Sequence, residues 1–502
     1  MGVITRQSAK SFAVTLTGVV IGIINTLFLY PKFLLPEQYG LIQVLLALAV
    51  VMTQFSHLGA ISTLVNFLPH FRDDKKKFSA FFTLMFITPL AGFSIACIAY
   101  IVFQPLIAGA YTGKSQLVTE YYYWVIPIAF CYLYLFLLHS WSRSNMRLTV
   151  PTFVLDLLLK ILVSAELAAY YLDFVTMDGF ILLFTLNYVA GLIILLVYSL
   201  REFPVGFSLD FGCLGRSMII KMATYGLFVI IGAAAAGLVQ KIDILMVSSM
   251  LGLEMTAIYS IAFFIGVAIE LPMRPVVLLS MPLIADAWKN NDLKKIEDVY
   301  KKSSLNLFIL GGLTFLVIWC NIDEIFAVMP RSELYSQGRT VVLFILLAKM
   351  FDMLTGVNGE IIRTSKYYYV DLLTMVFLII ISITANYLLI PAWGMNGAAA
   401  ATAASVFVFN LIRYIFILKV FHMQPFTVKH GGVAGLLGCL FIMGIFLPAI
   451  GEGFWGSVMT IAYRSVISAT LFSMVIYKFN LSPDISGIIR QPFLSLGINL
   501  RI

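Results

Sequence analysis

The sequence predicts an all-α integral membrane protein of about fourteen transmembrane helices, and three observations lead there. Of 502 residues, 61% are hydrophobic and 12% are charged. That is about half the charged fraction of an ordinary soluble domain, too little polar surface to cover a water-soluble fold of this length. The apolar residues fall in runs of roughly 18–25, the length that crosses about 30 Å of hydrocarbon at 1.5 Å per residue. These runs are continuous rather than alternating, which excludes the strands of a membrane β-barrel. Finally, the basic residues sort onto one face once the runs are numbered.

The spans fall at 11–30, 41–66, 78–103, 119–141, 151–172, 179–200, 218–249, 256–285, 303–320, 339–357, 369–390, 397–418, 431–450 and 458–477. Arg6 and Lys10 precede the first, which is too long for a signal-peptide core and lacks a small-x-small cleavage site, so it reads as an uncleaved span. The third follows the basic segment Arg72 to Lys77, and the ninth follows Lys289 to Lys302. Aromatic clusters at Tyr121 to Trp124 and Tyr367 to Tyr369 mark span ends, where an interfacial belt is expected. The eighth carries Pro272 and Pro275, both helix-bending residues.

Of the 33 basic residues, the termini and the loops after even-numbered spans hold 24, counting Lys221 and Arg413 at the adjoining span ends. Loops after odd-numbered spans hold 4 (Lys32, Lys114, Arg331 and Arg339, the last opening its span), and 5 lie deeper inside spans (Lys160, Lys241, Arg274, Lys349 and Arg464). This bias places both termini in the cytoplasm. It also accounts for the net charge of +8 without nucleic acid. The cysteines Cys97, Cys131, Cys213, Cys320 and Cys439 are isolated in or beside apolar segments, which suits packing rather than metal binding.

An internal repeat organises the chain. Pro36 to Leu41 opens the second span and Leu253 to Ile258 opens the eighth, 217 residues later; at that offset Thr53 meets Glu270 and His57 meets Arg274. Asp178-Gly179 and Asn396-Gly397 are offset by 218. Six spans is an even number, so the halves are parallel repeats about an axis along the membrane normal. The expected division is an N-lobe (1–200), a cytoplasmic linker (201–217), a C-lobe (218–418), and two additional helices with a cytoplasmic tail (419–502).

Three stretches resemble the polysaccharide-exporting branch of the multidrug/oligosaccharidyl-lipid/polysaccharide (MOP) flippase superfamily. They are Leu35 to Gly40 with Ser56 to Val65, Gln240 to Asp243 running through Gly252 to Ser260, and Trp393 to Ala399 with the Ala/Thr-rich helix behind it. The resemblance implies two six-helix lobes around a central cavity that opens alternately to either face. It implies an O-antigen-type flippase of the cell inner membrane, moving an undecaprenyl-pyrophosphate-linked oligosaccharide from the cytoplasmic to the periplasmic leaflet for surface polysaccharide biosynthesis. The implied partners are that substrate, membrane lipids, and the polysaccharide polymerase and chain-length machinery; no nucleic acid is expected. Related lipid II flippases carry arginines in equivalent places of the second and eighth helices, whereas here the eighth has Arg274 and the second has His57. The rival readings are a multidrug cation exporter of the same superfamily and a membrane polymerase or ligase. Against the exporter stand Arg274 and the two extra helices; against the enzyme, the shortness of the longest outer loop, Asn321 to Gly338.

A charge in the bilayer core costs about 2.5–3.5 kcal/mol on insertion scales, so each intramembrane charge asks for a reason. Glu270 and Arg274, four apart, are expected on one helix face near mid-depth. Arg274 is the leading contact for a pyrophosphate, whose oxygens fit a guanidinium fork; an ion pair with Glu270 is the structural alternative. His57, Gln54, Asn25 and Lys241 are further candidates for the substrate cavity, and Asp243 for a coupling ion. Asp156 with Lys160, and Lys349 with Asp352, read as internal pairs that rank lower for the cavity, and Arg464 as a residue that snorkels or packs. No GxxxxGK[ST], HExxH or CxxC pattern occurs. No catalytic residue, metal or cofactor is therefore expected, beyond a coupling H+ or Na+.

Overall fold

The computed structural model describes residues 2–111, 113–203, 206–487 and 490, and among these every regular element is helical. Contacts divide the chain into two compact units, Met1–Ala257 and Ile258–Ile502.

In the first unit α1 (Gly2–Ile24) runs through a π-helical turn (Asn25–Leu29) into Tyr30–Phe33, making one apolar span of Lys10–Phe33. α2 (Pro36–Ser56) starts on a proline, which has no N–H to leave unpaired there. The Gln38 side chain accepts from the Leu35 amide at 2.9 Å. A sharp turn at His57 to Gly59 separates α2 from α3 (Ala60–Phe67). α4 (Lys75–Val102) is capped by Asp74, whose carboxylate accepts from the Lys76 and Lys77 amides at 3.0 and 3.2 Å. Two short helices, α5 (Gln104–Gly109) and α6 (Gln116–Glu120), form the next loop. α7 (Val125–Ser144) follows, then a π-helical stretch (Phe153–Leu158) leading into α8 (Leu159–Tyr171), α9 (Met177–Glu202) and α10 (Arg216–Leu251). α2 is the hub, packed by α4, α7 and α10. Leu135, Leu138, Val154, Leu159 and Leu195 form a second buried cluster between α7, α8 and α9. α10, which the repeat places at the head of the C-terminal half, packs along α2 and α3 in the first unit.

The second unit begins within α11 (Leu253–Val267), which ends in a 3-10 turn (Ala268–Glu270) before α12 (Met273–Lys289). α13 (Leu293–Trp319) leads to the short helices α14 (Ile322–Ala327) and α15 (Ser332–Tyr335), then α16 (Arg339–Leu354) and α17 (Asn358–Thr364). α18 (Tyr368–Phe421), α19 (Val428–Phe446) and α20 (Gly453–Lys478) complete it. α13 is the axis of this unit. Its first turns share a core with α12, α17 and α18 (Ile284, Ile296, Tyr300, Ile361, Ile417), and its later turns share one with α19 and α20 (Leu305, Leu316, Val433, Phe472).

Among the described residues eleven helices are long and apolar enough to cross a membrane, or twelve when α15 through α17, bent by 50°, count as one broken span. The expected count of about fourteen differs for two physical reasons. α18 turns at Gly394 (φ 58, ψ −140), and its length of about 80 Å is far more than one bilayer needs; the expected spans 369–390 and 397–418 both lie in it. The expected span 151–172 is interrupted by the π-helical stretch.

Two more expected spans are broken. The run 41–66 breaks at Leu58 (φ 45) and Gly59 (φ 75). A Cβ at Gly59 would overlap the Gly226 carbonyl, so α10 passes where only glycine fits. The run 256–285 breaks at 268–272, where Pro272 has no amide to continue the helix.

Candidate functional site

The broken eighth span rearranges the charges expected at its centre. Glu270 closes the 3-10 turn while Arg274 lies in the first turn of α12, so the two do not share a continuous helix face. Glu270 instead pairs with Lys349 of α16, Oε1 to Nζ 2.6 Å, with both side chains partly exposed. The expected pair of Lys349 with Asp352 is therefore not formed; Asp352 accepts from the Asn410 side chain at 3.1 Å. Arg274 is exposed and takes part in no ion pair among the described residues.

In the first unit Asp156 and Lys160 also do not pair with each other. The π-helical register separates them, and each reaches α1. Asp156 Oδ2 accepts from the Thr15 hydroxyl at 2.9 Å, and Lys160 Nζ donates to the Gly18 carbonyl at 2.9 Å. Gly18 and Gly22 make this approach possible. A Cβ at Gly18 would overlap the Asp156 carbonyl, and one at Gly22 would stand 3.3 Å from Lys160 Nζ. Asn25 is buried here as a clamp, donating to the Lys160 carbonyl at 2.9 Å and accepting from Ser164 at 2.7 Å.

The remaining candidates sit apart from these. His57 is buried and holds the α2–α3 turn, its Nδ1 accepting from the Gly59 amide at 2.9 Å. Gln54 packs its stem against Gly237 of α10. Lys241 is half-buried on α10, and Asp243 is buried two residues on. Arg464 is an ion-paired crosslink rather than a snorkelling side chain. It contacts Glu324 at 2.6 Å and donates to the Cys320 and Leu447 carbonyls at 3.1 and 2.6 Å, tying α20 to α14.

Two polar groups escape the sequence reading. Glu166 of α8 is 6% exposed and takes a hydrogen bond from Asn187 of α9 at 2.5 Å. Its signal was a lone carboxylate inside an apolar run. Arg413 of α18 is 5% exposed, pairs with Asp371, donates to Thr374 at 3.3 Å and lies over the Phe409 ring at 3.9 Å. Asp371 also takes Arg363 at 3.1 Å. In sequence Arg413 looks like one more basic residue at a cytoplasmic span end, because its partner lies 42 residues back in the chain, beyond the turn at Gly394. The aromatic belt is also partly internal. Tyr122 is fully buried and stacks on Tyr100 at 4.2 Å, and Tyr121 donates to Asp178 at 2.6 Å.

The backbone has the fold of a known class of membrane transporter. It is similar to a lipid II flippase, MurJ, in an inward closed conformation, with a TM-score of 0.69 and 12% identity over 95% of this chain and 100% of that one. It is similar to an inward-facing multidrug resistance MATE transporter of the MOP superfamily, with a TM-score of 0.63 and 14% identity over 85% of this chain and 99% of that one. A MOP superfamily transporter from Pyrococcus furiosus, described by the reverse polarity of its binding pocket, gives 0.57 at 13% identity over 84% of this chain and 95% of that one. An uncharacterized membrane protein of Methanocaldococcus jannaschii is 22% identical over 92% of this chain and 94% of its own length. The profile of one family, described as polysaccharide biosynthesis protein, matches residues 7–288, more than half of the sequence. The chain belongs to that family and is a multi-pass membrane protein of the MOP transporter fold.

Proposed function

We propose that this protein is a flippase, not an enzyme, and that it carries an undecaprenyl-pyrophosphate-linked oligosaccharide from the cytoplasmic to the outer leaflet of the cell inner membrane by alternating access. Family membership in polysaccharide biosynthesis and the fold shared with a lipid II flippase support the reading. The observation that carries it is Arg274. Its expected acidic partner is engaged by Lys349, so the guanidinium is not cancelled by the pair that would have made it merely structural. A cation held in a span has a cost that an anionic pyrophosphate repays, and the fork geometry suits phosphate oxygens. A proton or sodium ion is the coupling ion this reading calls for, with Asp243 its candidate carboxylate.

The test is translocation of a fluorescent lipid-linked oligosaccharide by purified protein in liposomes. Wild type moves it. Arg274→Lys retains part of the rate, since a point charge still attracts phosphate. Arg274→Ala loses about tenfold or more, as one charge-assisted hydrogen bond of roughly 1.5–3 kcal/mol would require, and Arg274→Glu abolishes transport. Each variant should insert at normal abundance. Efflux of a cationic drug without movement of the lipid-linked sugar would favour the exporter reading instead.

A further inference from the structure

The linker between α9 and α10 is expected in water, yet its apex lies against the apolar run of α4. Lys77 is the last charge before an uncharged stretch that continues past Val102, so the hydrocarbon boundary falls near Phe78. The linker passes below this level. A Cβ on Gly206 would stand 3.9 Å from Ser79 Oγ, and the Phe207 ring meets Phe82 edge-on at 5.8 Å. The Ser208 amide donates to Thr83 Oγ1 at 2.9 Å. Thr83 is six residues past Lys77, about 9 Å along the helix axis. The chain then turns back, Asp210 pairs with Lys76 at 2.8 Å, and the turn Phe211–Leu214 packs on α4.

A segment at that depth must satisfy its own backbone, because no water is there to do so. The apex meets this demand. The Ser208 amide uses Thr83, the Asp210 amide uses the Ser208 hydroxyl at 3.4 Å, and the Leu209 carbonyl accepts from the Phe211 amide at 2.9 Å. The outward side of the apex is apolar. Phe207 is 66% exposed and Leu209 is 74% exposed.

The charges around the linker have one sign to spare. Three of the nearby acids are paired: Asp210 with Lys76, Asp74 with Lys77, and Glu202 with Arg147. Lys75 in the first turn of α4, Arg201 in the last turn of α9 and Arg216 in the first turn of α10 are exposed, with no ion pair among the described residues.

Two apolar side chains below a rim of spare cations match the inner leaflet of an anionic membrane, whose acyl chains lie beneath negative headgroups. A protein partner fits less well, because it would have to reach the level of Thr83 through lipid. We propose that residues 206–210 form an interfacial anchor, with Phe207 and Leu209 among the acyl chains of the inner leaflet and Lys75, Arg201 and Arg216 holding anionic headgroups around them. The anchor lies wholly in the first unit, on the face that the charge bias assigns to the cytoplasm. It does not depend on what the protein carries.

Photocrosslinking in vesicles tests this without any transport assay. The full chain is made with Leu209→benzoylphenylalanine, or with Asp73→benzoylphenylalanine as a control in the exposed loop before α4. Each is placed in vesicles of phosphatidylethanolamine and phosphatidylglycerol, irradiated, and its adducts identified by mass spectrometry. Both sites are exposed, so both proteins should fold and insert normally. The probe at 209 should capture phospholipid, and the probe at 73 should not. Phosphatidylglycerol should exceed its bulk share among the adducts. The changes Lys75→Gln, Arg201→Gln and Arg216→Gln together should lower that excess about fivefold, the worth of roughly one basic residue at an anionic surface. A probe at 209 that captures no lipid, or only protein, would overturn the anchor. Equal capture at 73 and 209 would do the same, because reach of the probe alone would then explain the adducts. An unchanged phosphatidylglycerol share in the triple variant would overturn the headgroup contacts.

Discussion

Lys349 and Glu270 show how a charge inside a span is kept by a partner on another element. Their side chains are 19% and 28% exposed, so the pair is neither fully desolvated nor fully screened. Removing one partner leaves the other unmatched in low dielectric. The cost should be about 1–3 kcal/mol, below that of breaking a fully buried pair, because water reaches both groups. Glu270→Gln and Lys349→Met should each lower the thermal midpoint of the detergent-solubilised protein, and the double change should restore most of it. If the double variant loses the sum of the two single effects, Glu270 and Lys349 act independently and Arg274 regains a claim on Glu270. The same logic separates Arg464, pinned by Glu324 and two carbonyls, from Arg274, which has no such anchorage. At this scale the sequence located the charged positions but paired them wrongly. Neighbours at i+3 or i+4 are the only partners that a linear reading supplies, and the π-helical stretch at 153–158 and the break at 268–272 change that register. The true partners, Asp156 to Thr15, Lys160 to Gly18 and Arg413 to Asp371, all lie on other helices or, for Arg413, on the same long helix beyond its turn at Gly394.

Among the elements, the turn between α2 and α3 is the most constrained. Gly59 combines a left-handed φ of 75 with a Cβ position that would overlap backbone atoms of Gly226 on α10, so both conformation and space require glycine. Gly59→Ala should therefore be strongly destabilising, by about 2 kcal/mol or more, since strain and overlap act together. Gly109→Ala makes the control: it lies in α5 with no heavy atom within 4 Å of a Cβ, and should be neutral or slightly stabilising. Size-exclusion profiles and melting temperatures of the two variants test this directly. A Gly59→Ala protein that melts with wild type would mean that α10 does not approach α2 as closely as described. The existence of nearly every apolar element was legible, because each is long and continuous. The breaks were not, although Gly59 and Pro272 stood in the sequence, because neither residue interrupts a helix unless its neighbours demand it.

For the molecule as a whole the informative quantity is the sorting of charge, which no single loop carries. Twenty-four basic residues on one set of loops, termini and span ends against four on the other give the expectation that the termini lie on the cytoplasmic face. The repeat depends on the same count, since Pro36 and Leu253 begin α2 and α11 at an interval of 217 residues and should lie on the same side of the membrane. Truncated fusions to a topology reporter join the two arguments. Reporters after Lys77 and Lys302 should register cytoplasm, and those after Gly113, Gly252 and Gly453 the exterior. Gly252 matters most, because it precedes the segment that recurs in the other half of the chain. If α18 crosses once rather than twice despite its turn at Gly394, every fusion point beyond it changes side. Gly453 would then report cytoplasm while Gly113 and Gly252 stayed outside. That pattern would leave the first eight spans intact and remove one crossing from the second half, and with it the parallel relation between the two repeats.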